Sequence, residues 1–85
     1  MTPRFRALLA ALPQNVQHQA RDAFRLFSEN PWHPSLRFRR VRENNPTHSA
    51  RVGVHYRVLG YFEGDTIVWV WIGTHAEYDR LLSQR

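Results

Sequence analysis

Arg51, Arg57, His75 and Tyr78 lie in the second half of an 85-residue chain and have the side-chain types that phosphodiester chemistry uses. RNA is cleaved without a metal when a base removes the 2′-hydroxyl proton and an acid protonates the leaving oxygen. Cations meanwhile hold the charge of the phosphorane. Arg51 and Arg57 can supply that clamp, and His75 can act as acid or base, since imidazole exchanges protons near neutral pH. Tyr78 can orient a base or stack on it. Each residue also has a structural alternative. His75 fits a helix cap or an exposed surface position, Tyr78 fits a packing residue of a short helix, and Arg57 fits an ion pair with Glu63 or Glu77.

Other chemistries find little support. His18, His33, His48, His55 and His75 show no HxxxH or HExxH spacing, so no metal site is expected. The chain has no cysteine, which excludes disulfides, thiolate nucleophiles and cysteine-ligated zinc. Ser28, Ser35, Ser49 and Ser83 do not sit in a nucleophile turn, and the glycines are scattered singly rather than gathered in a phosphate loop. No cofactor is expected.

Charge points towards a partner. All 12 basic residues are arginine, against 7 acidic ones. Residues 31–60 hold Arg37, Arg39, Arg40, Arg42, Arg51 and Arg57 against the single acid Glu43, whereas residues 61–85 are net acidic. A basic middle on a folded sheet suits phosphate binding, because neutralising phosphates releases counterions. A solvated face, or a docking surface for an acidic protein, has the same composition. The length allows one domain over 1–85, no run is long enough for a membrane span, and no signal-peptide pattern opens the chain. A cytoplasmic location is expected.

The elements that would position these residues follow from periodicity. Thr2 and Pro3 have the chemistry of a helix start, and Phe5, Leu8, Leu9 and Leu12 recur at helical spacing until Pro13. Gln14 to Glu29 resumes the pattern with Val16, Ala20, Ala23, Phe24 and Phe27 on one stripe, and Asn30-Pro31 stops it. Leu36–Val41 reads as an edge or near-edge strand with Arg37 and Arg39 on one face, and Glu43–Ser49 reads as a loop. From Ala50 the alternation is clean. One continuous strand would place Arg51 and Arg57 on the same face; a tight turn near Gly53–Tyr56 would make them cross-strand neighbours. Tyr56–Phe62 and Thr66–Ile72 form a hairpin about Glu63-Gly64-Asp65. The run TIVWVWI, apolar on both sides, reads as a central strand. A short helix over Ala76–Leu82 ends the chain. The fold class is therefore α+β: an N-terminal helical hairpin on one face of an antiparallel sheet of about four strands, with a short C-terminal helix. The other sheet face would be open and basic.

The array Leu36-x-Phe38, Arg51-Val52, Tyr56-Arg57-Val58-Leu59-Gly60 and Val68-Trp69-Val70-Trp71-Ile72-Gly73-Thr74-His75-Ala76-Glu77-Tyr78 resembles the RelE/ParE toxin superfamily. It looks especially like its small RelE-like members, which end in a W-I-G-x-H-x-x-Y segment. The resemblance covers nearly the whole chain. It implies a compact sheet under a helix pair, an activity of mRNA cleavage on the ribosome or of gyrase poisoning, and a cognate antitoxin wrapping the basic surface. It also implies that Arg57 contacts the scissile phosphate, that His75 occupies a catalytic position after the last strand, and that Tyr78 stacks on an mRNA base. Arg51 corresponds loosely to a basic strand position. The chain departs from the superfamily in lacking lysine, in carrying Gly53 and His55 where further cations are expected, and in starting almost directly in helix.

Overall fold

The computed structural model describes residues 1–83. The chain runs α1 (Pro3–Ala10), α2 (Gln14–Glu29), one turn of 3₁₀ helix (Pro34–Leu36), β1 (Arg39–Arg42), β2 (Asn45–Val52), β3 (Tyr56–Glu63), β4 (Thr66–Thr74) and α3 (His75–Ser83). The strands form one antiparallel sheet in the order β1-β2-β3-β4. The expected α+β architecture is the one observed.

The helix pair starts and stops where local chemistry places it. Thr2 accepts the Phe5 N–H at 3.1 Å, and Pro3, which has no N–H to satisfy, opens α1. Pro13 separates the two helices. Asn30, extended before Pro31, ends α2. The apolar stripes of α1 and α2 close over one sheet face, where Phe5 and Ala20 meet Val52, Val58, Trp69 and Ile72. Phe24 stacks on Trp69 at 5.7 Å between ring centroids, and Phe27 meets the same indole edge-on at 5.4 Å.

Four local expectations are corrected. The strand expected over Leu36–Val41 begins only at Arg39, because Leu36 belongs to the 3₁₀ turn and Arg37 adopts a left-handed backbone with φ 47°. Arg37 is thus a turn residue. Asn45–Ser49, expected in a loop, is the first half of β2. Pro46 is tolerated there because the β1–β2 ladder is irregular between Arg40 and Arg42, so the missing N–H falls at a bulge. The strand Thr66–Ile72, read as central, is the sheet edge. Finally, α3 covers part of the sheet face expected to be open, burying Tyr78 against it.

β4 is apolar on both sides for two reasons. α1 packs against it, with the Thr2 N–H donating to the Trp69 carbonyl on its outer edge, and α3 lies over the opposite face. The β3–β4 register also shifts between Leu59 and Gly60, which pair with Trp71 and Trp69. This bulge at Val70 sends Trp69 into the core beside Gly60 and sends Trp71 to the other face beside Leu59. Without it, alternation would put both indoles on one side.

Gly60 makes that arrangement possible. A Cβ at Gly60 would meet Trp69 Cε3 and the Val68 carbonyl oxygen, each at 2.7 Å, and the backbone oxygen cannot move aside. Gly60→Ala is therefore expected to cost about 1–3 kcal/mol of stability through overpacking. A lowered urea midpoint at unchanged slope would show it, and an unshifted midpoint would contradict it.

Candidate functional site

On the sheet face away from the α1–α2 pair, a cleft of about 330 Å³ is lined by Arg37, Arg39, Arg51, Arg57 and His75, with Phe38 and Val54 completing it. Among the described residues no carboxylate lines it. Five of the six residues singled out in the sequence meet there; the sixth, Tyr78, lies beneath Arg57 rather than in the opening.

The convergence follows from strand register. β2 turns back through Gly53–His55, and Arg51 pairs directly with Arg57 across the ladder. Of the two arrangements the alternation allowed, the tight turn is the one adopted. Arg39 reaches the same face from β1, where it pairs with Ser49, and Arg37 arrives from the turn that precedes β1.

Arg57 is the deepest member, with 3% of its surface exposed. Its Nη2 donates to Ser49 Oγ at 2.7 Å, and its guanidinium carbon lies 5.0 Å from the centroid of the Tyr78 ring. Nε is buried and has no hydrogen-bond partner among the described residues. Burial lowers the Arg57 pKa from the ordinary arginine value, and the nearby Arg39 and Arg51 charges act in the same direction. The group nevertheless keeps its charge, as arginines in proteins do. The expected alternative, an ion pair with Glu63 or Glu77, is not formed; among the described residues Arg57 has no carboxylate within ion-pair distance.

Tyr78 is also 3% exposed, and its hydroxyl donates to Ser49 Oγ at 3.3 Å. One face of its ring is turned to Arg57, so in this arrangement the ring supports the arginine and is not presented for stacking on a base. Ser49 is the residue that sequence reasoning missed. It was weighed only as a nucleophile, whereas it is a fully buried acceptor shared by Arg57 and Tyr78. The signal lies in the register: Ser49 sits diagonally from Arg57 on the same sheet face, which becomes visible once the β2–β3 turn is placed.

His75 opens α3 at the rim, with its side chain 55% exposed and Nδ1 3.1 Å from Asp79 Oδ2. Its backbone N–H donates to the His55 carbonyl at 2.7 Å, which ties the start of α3 to the β2–β3 turn. Thr74 and Glu77 form a reciprocal cap. The Glu77 N–H donates to Thr74 Oγ1 at 3.1 Å, and the Thr74 N–H donates to Glu77 Oε1 at 2.7 Å. The start of α3 thus brings His75 to the rim of the cleft. At the other end of α3, Arg42 donates to the Leu82 carbonyl, closing the helix onto β1.

A helix pair over one face of an antiparallel meander, with an arginine cleft on the other, defines a small cationic α+β domain of RelE/ParE type. Residues 14–80 match the family model of the ParE-like toxin domain, and the chain belongs to that family. The match runs from α2 into α3 and includes every residue of the cleft. A toxin domain implies an antitoxin as partner. Searches of curated proteins and of solved structures return no match. Among the described residues no helix is long and apolar enough to cross a membrane, and no cluster of metal-ligating side chains is present.

Two expectations follow. Ser49→Ala leaves the buried Arg57 Nη2 without its acceptor and should cost about 1–3 kcal/mol, while Tyr78→Phe, which keeps the ring, should cost about 1 kcal/mol or less. Urea unfolding of the two variants would rank them. Glu77 is held below its ordinary carboxylate value, first by the Thr74 N–H and then by the Thr74 hydroxyl. Its folded-state pKa is depressed, so its stabilisation is complete above the unfolded-chain value and is lost as pH falls through the folded one. The stability gap between the parent and Glu77→Ala should accordingly be open at neutral pH and narrow in acid. A gap independent of pH would be inconsistent with this account.

Proposed function

We propose that this chain is the toxin of a type II toxin–antitoxin pair and acts in the cytoplasm as a metal-independent endoribonuclease on ribosome-bound mRNA, inhibiting translation. The observation that supports this reading is the cleft itself: four arginines and a histidine, and, among the described residues, no carboxylate and at its base a buried guanidinium N–H without a partner. Such a site is built to receive an anion with several oxygens, and a phosphodiester fits it.

In this reading Arg57 and Arg51 hold the scissile phosphate and stabilise the charge that develops when the 2′-oxygen attacks. Arg37 and Arg39 bind the substrate's flanking backbone. In the tautomer whose Nδ1–H is donated to Asp79, His75 Nε2 carries the free lone pair, and in this reading it accepts the 2′-hydroxyl proton. The bond from phosphorus to the 5′-oxygen breaks and the leaving oxygen takes a proton from solvent water, giving a 2′,3′-cyclic phosphate and a 5′-hydroxyl, while His75 returns its proton to solvent. Tyr78 acts through Arg57 as a positioning residue. The same cleft suits a second reading, favoured by the family's ParE-like description: a non-catalytic toxin directed at gyrase, with the arginines as a docking surface.

Induction of the chain in a bacterial host, with new mRNA 5′ ends mapped across the transcriptome, separates the two. Cuts within reading frames that depend on translation, and that fall by about a hundredfold or more in Arg57→Ala and His75→Ala, are expected. Arg51→Ala serves as a companion variant because Arg51 is less buried, and circular dichroism confirms folding. Growth arrest with intact mRNA would transfer the assignment to the gyrase reading. Variants as toxic as the parent would exclude the proposed residues.

A further inference from the structure

Beside the arginine cleft lies a second cavity of about 320 Å³, and the two share Arg51 and Val54. The same short segment lines both: Leu36 belongs to the wall of the second cavity, and Arg37 and Arg39 to the cleft. The second cavity is of another character. Its walls are apolar, with Ala23 and Leu26 from α2 facing Leu36. Its rim is polar, with Gln19, Asp22 and Ser35. Gln19 is set against the β2–β3 turn so closely that a Cβ at Gly53 would overlap its Oε1.

We infer that this second cavity is a nucleobase subsite for the strand whose phosphate occupies the arginine cleft, and that it favours a base carrying an exocyclic amine. The inference rests on the phosphodiester reading of the cleft. Apolar walls with hydrogen-bonding groups confined to the rim suit a planar heterocycle, and the volume is at the small end of ligand sites. Arg51, shared by both cavities, places a phosphate contact next to the base.

Asp22 supplies the selectivity. Its Oδ1 accepts from Arg25 Nη2 at 3.2 Å along the helix surface, which leaves Oδ2 as an acceptor. An ionised carboxylate only accepts, so it suits the amino group of cytosine and opposes the carbonyl that uracil presents at the same position. A neutral base is the occupant that meets both the walls and the rim.

The test uses the full chain and short 2′-O-methyl RNA strands, which lack the attacking hydroxyl and are not cleaved. Oligocytidine, oligouridine and an abasic backbone of equal length are compared by fluorescence anisotropy at low salt. Oligocytidine should bind about fivefold or more tighter than the abasic strand and about fivefold tighter than oligouridine, the lower end of what a paired base edge provides. Asp22→Asn should bring the cytidine-to-uridine ratio to parity, a ratio insensitive to the change in overall charge. Gln19→Ala should weaken both base-bearing strands and leave the abasic strand unchanged. Asp22 and Gln19 are both exposed, so these variants are expected to fold.

Equal binding of all three strands, weakened alike by Arg51→Ala, would overturn the subsite and leave the phosphate reading standing. A cytidine preference that survives both variants would also overturn it, since the base would then be read elsewhere. No binding of any strand at low salt would remove the phosphodiester reading, and the inference with it.

Discussion

A guanidinium buried under a helix cannot escape its charge by releasing a proton, so the protein must compensate Arg57 with dipoles and π electrons. Ser49 Oγ and the face of Tyr78 provide that compensation, and both depend on tertiary structure. Tyr78 is in place only because α3 folds back across the sheet. α3 in turn is held by the Thr74–Glu77 cap and the His55 carbonyl at one end and by Arg42 on the Leu82 carbonyl at the other. The compensation is incomplete. Among the described residues Nε has no partner, and Arg51 stands directly opposite Arg57 on the neighbouring strand, where like charges repel. In the proposed reading, an anion entering the cleft would relieve that repulsion, and the folding of α3 would then be tied to the chemistry of the cleft.

The sheet separates this charged face from the core. α1 and α2 close over one side with an aromatic stack centred on Trp69, and the arginines gather on the other. The bulge at Val70 lets β4 serve both sides, with Trp69 inward and Trp71 outward. Gly60 is the position that accommodates the indole. Because β4 is an edge strand, its apolar surface is protected by α1 on one face, by α3 on the other, and by a hydrogen bond from Thr2 along its outer side. The two cavities meet at the β2–β3 turn, where they share Arg51 and Val54.

What the sequence determined by itself is the set of features with local causes. Thr2-Pro3, Pro13 and Asn30-Pro31 delimit the helix pair, because capping and the loss of an N–H act over a few residues. The apolar stripe of Gln14–Glu29 specifies its buried side, and Gly64-Asp65 specifies the β3–β4 turn. The clustering of arginines between residues 37 and 57 is likewise legible, as is the pairing of an imidazole and a phenol, His75 and Tyr78, just past the last strand. Tertiary structure decided which strand lies at the edge, since strand order is set by pairing between neighbours that periodicity does not encode. It also decided that Asn45–Ser49 pairs despite Pro46, that α3 covers Arg57, and that Tyr78 is buried beneath a guanidinium instead of exposed at the rim. Ser49 shows the reason most directly. Its role is set by a diagonal across β2 and β3, and a diagonal exists only once the register does.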